Sequence, residues 1–132
     1  MPKPFTSLWP SEFGELGVQT PLAILRQQAG DLGQMTQNIV YGSVLTLPNP
    51  EAGGFRHQFN LFCPPLAYTE YLLWVDHGLD LYPATIIPLG RGASPRVDTV
   101  DPDNFKQELQ KIFENERTKK IIRVLLAQSK QQ

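Results

Sequence analysis

The sequence predicts an α+β fold: an N-terminal helix, then an antiparallel, meander-like sheet of about four strands, then two C-terminal helices packed on one sheet face. Two observations support this prediction. The middle of the chain alternates apolar and polar residues with the period of two that is typical of strands. Both flanks instead carry a helix-capping residue followed by proline and an apolar stripe at helical spacing. The second sheet face is left for solvent, for an N-terminal arm or for a partner.

The chain length favours one domain preceded by an arm. Its 132 residues, of which 41% are hydrophobic, suffice for a single core. Residues 1–19 contain three prolines and two glycines among scattered apolar residues, so we interpret them as an arm on the surface, with Trp9 as its expected anchor. Residues 20–130 form the predicted α+β domain.

The first half of the domain reads as a helix and two strands. Thr20 is a helix cap followed by proline, and apolar residues then recur at helical spacing, which predicts a helix from about 21 to 35. The segment 39–47 alternates as a strand does, and the Pro- and Gly-rich stretch 48–54 is a loop. It leads to a second strand over 55–63, with one apolar and one polar face.

Two further strands follow. The segment 68–77 is aromatic and β-branched and is apolar on both faces near its end, so we place it centrally in the sheet. The segment 79–89 is the fourth strand, and Pro83 within it requires a position without a ladder N–H, which favours an edge. The loop 90–100 ends in a short extended stretch.

The C-terminal segment contains a second capping signal at Asp101 and Pro102. An amphipathic helix follows to Glu116, and Thr118 can cap a further helix that reaches Gln128. We predict a break between these helices at residues 115–117.

Composition excludes several classes of function. The net charge is −1 with 19% charged residues, so the whole molecule presents no strong field to nucleic acid or an anionic membrane. No segment resembles a signal peptide or a membrane span, and we expect a cytoplasmic protein without membrane contact. The single cysteine, Cys63, is expected to be a small buried hydrophobe.

The candidate catalytic residues are His57, Asp76 and His77. Two histidines and a carboxylate are able to bind a divalent metal or to exchange protons, which gives a metal-dependent hydrolase as one alternative function. However, neighbours on a strand point to opposite faces, so Asp76 and His77 also fit the description of polar turn residues. The sequence contains no recognisable phosphate loop or metal-ligand spacing, and we predict neither a cofactor nor a metal site.

A basic cluster occupies the end of the chain. Residues 117–132 contain five basic and no acidic side chains, whereas residues 1–116 have a net charge of −6. Lys119, Lys120 and Arg123 could contact phosphates, which gives a nucleic-acid-associated protein as a second alternative. The same cations also complement the C-terminal end of a helix dipole, which needs no ligand.

Aromatic residues in the strands support the hypothesis that we prefer. Tyr71 and Trp74 lie in the predicted central strand, and one layer of helices cannot cover all the strand aromatics. We therefore expect a small non-enzymatic interaction module that forms a homodimer or binds another protein through an aromatic sheet face. Tyr71 and Trp74 are its candidate binding residues.

Overall fold

The boundaries of the helices and strands follow the capping and proline signals of the sequence. The computed structural model describes residues 7–131, so the first six residues of the predicted arm lie outside the described part of the chain. The elements are α1 (Pro21–Met35), β1 (Tyr41–Asn49), β2 (Gly54–Cys63), β3 (Tyr68–Gly78), β4 (Ala84–Pro88), β5 (Val97–Thr99), α2 (Pro102–Glu114) and α3 (Glu116–Lys130). The predicted α+β class is confirmed.

Each helix begins at a polar cap. The Thr20 side chain accepts a hydrogen bond from the Ala23 amide at 3.0 Å, and Asp101 caps α2 in the same way. The predicted break between α2 and α3 is present, but its cap is Asn115, whose side chain accepts from the Thr118 amide at 2.8 Å. The Thr118 hydroxyl instead donates to the Ile112 carbonyl at 2.7 Å, which ties the start of α3 to the end of α2.

The strands form one antiparallel meander in the order β1-β2-β3-β4-β5, with β3 in the centre as predicted. A bulge interrupts the pairing of β2 with β3 between Phe59 and Asn60. Leu72 is the residue of β3 that the pairing skips, and both Leu72 and Leu73 are buried. The bulge therefore places two consecutive leucines in the core.

The fourth strand differs from its prediction. It begins at Ala84, and Pro83 lies in the preceding loop rather than within an edge strand. The segment 97–99 adds a fifth strand, so β4 is internal. The buried Thr99 hydroxyl donates to the Ala84 carbonyl at 2.7 Å and joins the two strands. The prediction that Pro83 needs no ladder hydrogen bond is correct, but the prediction that it lies within an edge strand is wrong.

The core lies between the sheet and the helices, which pack on one sheet face. Ala29 of α1 approaches β1 so closely that any side chain at Gly42 would collide with it. Phe59 of β2 packs on Phe113 of α2 with ring centroids 5.5 Å apart. We call the helix-packed side the covered face and the other side the open face.

The arm residues 7–19 form no regular structure. Trp9 is 76% exposed, so the expectation that Trp9 anchors the arm to the domain is not met in this conformation. At the end of the arm, the Gln19 carbonyl accepts a hydrogen bond from the Tyr82 hydroxyl at 2.9 Å. Over the described residues, no helix has the length and apolar character needed to cross a membrane.

Candidate functional site

Consecutive polar residues of β2 and β3 point to opposite faces of the sheet. Arg56 pairs with Asp76 in the strand register, and both side chains lie on the open face. The next residues, His57 and His77, lie on the covered face. The period of two thus separates an ion pair from a histidine pair by the thickness of the sheet.

The two histidines form a buried hydrogen-bonded pair. Their Nε2 atoms are 2.7 Å apart, and they are 2% and 5% exposed. His77 Nδ1 lies 2.8 Å from the carbonyl oxygen of Gly78, which can only accept, so this nitrogen carries the proton. In neutral His77 the Nε2 atom then accepts from His57 Nε2, and His57 Nδ1 accepts from the Thr46 hydroxyl at 2.8 Å. Every donor in this series of hydrogen bonds has an acceptor while both rings are neutral.

Burial favours the neutral form of His57. Desolvation is the largest of the causes that lower the pKa of His57 to about 4, and the neighbouring His77 and Arg26 act in the same direction. The Phe55 ring stacks near His57, with ring centroids 6.4 Å apart. The pair therefore has the properties of a satisfied polar network in the core.

Asp76 does not join the histidines. Its two carboxylate oxygens accept from Arg56 Nε and Nη2 at 2.7 and 2.8 Å, and this bidentate contact lowers the pKa of Asp76. Within residues 7–131, no three His, Cys, Asp or Glu side chains are placed to hold a metal ion. Cys63 is also buried, with its sulfur 3.2 Å from the Ser129 hydroxyl. The candidate catalytic residues are thus divided between two environments.

A row of side chains crosses four strands on the open face and is apolar at three of its four positions. Leu45, Gln58, Trp74 and Ile87 are successive partners in the strand register from β1 to β4. Leu45 is 51% exposed, and the guanidinium of Arg56 lies 4.1 Å from the centroid of the Trp74 ring. The ion pair therefore fixes the indole from one side.

Two exposed aromatic residues border this row. Tyr71 pairs with Asn60 and is 60% exposed, and Phe62 on the same face of β2 is 38% exposed. The Asn60 side-chain oxygen between them is buried without a hydrogen-bond partner in the described chain. Such an unpaired carbonyl costs about 1–3 kcal/mol. The two predicted binding residues, Tyr71 and Trp74, therefore share a face whose polar groups are incompletely satisfied at Asn60.

The basic residues of α3 are partly neutralised. Glu116 lies 3.4 Å from Lys119 and 3.7 Å from Arg123, so one carboxylate serves two of the three predicted phosphate-binding residues. Lys120 instead lines a hollow of about 700 Å³ between α3 and β3, together with Arg91 and other residues. A charge count that begins at residue 117 excludes Glu116, so it does not reveal that two of these cations share a carboxylate.

A groove between α1 and α2 was not predicted. Its volume is about 460 Å³, and its lining includes Phe59, Leu61 and Leu72 from the sheet. We call it the α1/α2 groove. No sequence pattern reports the spacing of two helices that are distant along the chain, so this groove could be found only from the packed structure.

Comparison with known proteins assigns no family. No protein-family model matches the chain, and no curated protein or solved structure is significantly similar to it. Function is therefore inferred from the chain's own residues and contacts.

Proposed function

We propose that the protein is a non-enzymatic interaction module that packs its open face against a second protein surface, with another copy of the same chain as the first partner. The observation that supports this proposal most directly is the group of exposed apolar side chains on the open face. Leu45 and Tyr71 are more than half exposed, and Phe62 is 38% exposed. Exposed apolar surface of this kind is typical of interaction sites.

The arrangement of the polar groups supports the same proposal. On the open face, Arg56 is paired with Asp76, and the Thr85 hydroxyl donates to Asp98 at 2.6 Å. Paired polar groups can enter an interface at lower cost than isolated charges. A fixed indole beside exposed Tyr71 also resembles the aromatic anchors that dominate binding energy in interfaces.

The metal-dependent hydrolase remains an alternative with weaker support. His57 and His77 satisfy each other inside the core, and Asp76 binds Arg56 on the opposite face. A reaction that uses all three residues would require them to leave their present partners, because the sheet lies between Asp76 and the histidines. The nucleic-acid alternative rests on Lys120 and on cations that share Glu116, which weakens their attraction for phosphate.

Sedimentation velocity over a range of concentrations tests the proposal. The wild-type chain is expected to self-associate, and the double variant Leu45→Ser/Tyr71→Ser to weaken that association by about tenfold or more, as loss of anchor residues does. Leu79→Ser is the matched control, because Leu79 is 78% exposed but lies in the turn after β3. It should leave the association unchanged.

A wild-type chain that stays monomeric at millimolar concentration would contradict self-association. Equal weakening by Leu79→Ser and by Leu45→Ser/Tyr71→Ser would show that the association does not use the open face.

A further inference from the structure

The α1/α2 groove has the size and lining of a binding site. Its volume of about 460 Å³ lies within the range of about 300–1,000 Å³ that small-ligand sites occupy. Phe59, Leu61 and Leu72 supply an apolar lining from the sheet, and Met35 and Gln110 contribute from the two helices. These three sheet residues form the base of the groove and are only 1–2% exposed, so the surface open to a ligand lies on the helix walls, which include the partly buried Leu32, Phe113 and Ile122.

The arm carries the apolar side chains that such a groove would accept. Leu8, Trp9, Phe13 and Leu16 are each at least 72% exposed. The Trp9 and Phe13 rings lie 6.3 Å apart at an interplanar angle of 54°, and neither is buried against the domain. Large aromatic side chains in water leave a considerable hydrophobic free energy unused, at about 25 cal/mol for each Å² that could be buried.

The arm leaves the domain near one end of this groove. Tyr82, which holds the Gln19 carbonyl, packs edge-on against Phe105 in the first turns of α2. Ile24 in the first turn of α1 and Lys106, the residue after Phe105, both line the groove. The end of the arm is thus fixed beside the first turns of the two helices that form the groove walls.

The arm is also long enough to reach along the groove. From Ile24 to Met35 the groove wall on α1 extends about 16 Å at the helical rise. Residues 7–18 span about 40 Å when extended, so they can reverse direction and still follow the whole wall. Gly14 and Gly17 already have positive φ values of 73° and 71°, and such positions allow a reversal without strain.

We propose that the α1/α2 groove is a peptide-binding site whose ligand is the chain's own N-terminal arm, with Trp9 and Phe13 against the apolar lining. Tethering supports binding within one chain, because a short flexible linker gives an effective concentration in the millimolar range. Charge does not favour this binding, since the groove contains two acids, Asp31 and Glu114, against Lys106, and the arm is also acidic, so apolar contacts would have to hold the arm. The proposal concerns the covered face and is independent of partner binding at the open face.

Fluorescence of Trp9 tests this proposal in the full-length chain. The chain contains two tryptophans, so Trp74→Phe leaves Trp9 as the sole emitter. We expect the folded variant to emit at shorter wavelength than the same protein in denaturant. Acrylamide should quench it several-fold less efficiently, and neither property should depend on protein concentration.

Groove variants locate the binding site of the arm. Met35→Glu with Gln110→Glu, in the same Trp74→Phe chain, adds two acids beside the acidic arm and should return Trp9 to efficient quenching. Val124→Glu is the matched control, because Val124 is partly exposed and lines the hollow at α3 instead. It should leave the emission of Trp9 unchanged. Circular dichroism verifies that each variant folds.

Three outcomes would overturn the proposal. The first is quenching of Trp9 in the folded chain that equals quenching in denaturant. The second is release of Trp9 by Val124→Glu and not by the groove variant, which would place the arm at α3. The third is protection that appears only at high concentration, which would place the arm on a second copy.

Discussion

The polar pair on the open face and the polar pair on the covered face lie in different environments, although the two pairs are adjacent in sequence. Arg56 and Asp76 remain charged on the open face, where their contact raises the pKa of Arg56 and lowers that of Asp76. One residue further along each strand, His57 and His77 meet on the covered face, and burial lowers the pKa of His57 to about 4. The face of the sheet, and not the position in sequence, decides whether the charged form is favoured, as at Asp76, or disfavoured, as at His57.

This difference also separates stability from binding. Side chains on the covered face have exchanged water for packed neighbours, and their loss leaves cavities or unpaired groups. Side chains on the open face retain contact with water, so their removal should lower the free energy of unfolding less. Substitutions on the two faces of one strand should therefore have different consequences.

Phe59→Ala and Phe62→Ala give the largest expected contrast. Phe59 is 2% exposed and packs on Phe113, so its truncation should lower the free energy of unfolding by about 3–5 kcal/mol. Phe62, three residues later on the open face, is 38% exposed, and its truncation should cost about 1–2 kcal/mol. Urea unfolding monitored by circular dichroism measures both values.

Similar losses for the two phenylalanines would contradict the comparison, because they would mean that both faces are equally packed. If Phe62→Ala proves more costly at high protein concentration than at low, the additional loss measures association through the open face.

The second largest effect is expected from acid pH, which should destabilise the fold through the histidine pair on the covered face. The unfolded chain protonates His57 near its ordinary pKa of 6.5, whereas the folded chain does so only near 4. Between these values the unfolded state binds more protons, so the free energy of unfolding falls as the pH is lowered, by up to about 3 kcal/mol. Urea unfolding at several pH values from 7 to 4 measures this slope.

His57→Gln isolates the contribution of this histidine. It removes the titrating ring, so its free energy of unfolding should decline less between pH 6.5 and pH 4 than that of the wild-type chain. Identical slopes for the two proteins would show that carboxylates, and not the histidine pair, cause the acid sensitivity.

Local patterns in the sequence were sufficient for the elements of the fold. Thr20 and Asp101 cap helices where predicted, and the apolar residues on both faces of β3 correctly predicted its central position. Alternation also implied that Asp76 and His77 point to opposite faces, as they do. These features depend on residues that are near one another in the chain.

The contacts of the candidate site depend on the register of distant residues. His57 meets His77 only because β2 and β3 pair with Phe55 opposite His77, which no local pattern specifies. The Arg56 contact with Asp76 has the same origin. The pairing of β4 with residues 97–99 could not be predicted from Pro83 either. A proline indicates that a backbone N–H is missing and does not indicate the position of its strand in the sheet.

Disruption of the ion pair on the open face should have a smaller effect than either substitution on the covered face. Arg56→Gln or Asp76→Asn should each lower the free energy of unfolding by about 1 kcal/mol, because the pair is bidentate but partly in water. The loss should shrink at high salt. A double-mutant cycle at low and high salt measures the coupling, and a coupling that does not change with salt would show that the pair is shielded like the histidines.

The smallest effect is expected on α3. Replacing Lys119, Lys120 and Arg123 together by glutamine removes exposed cations, two of which share Glu116, and should change the free energy of unfolding by about 0.5 kcal/mol or less. We also expect neither protein to bind DNA or RNA in fluorescence anisotropy at low salt. Binding by the wild-type chain that weakens with salt and disappears in the triple variant would instead favour the nucleic-acid alternative, since affinity for phosphates depends on those three charges.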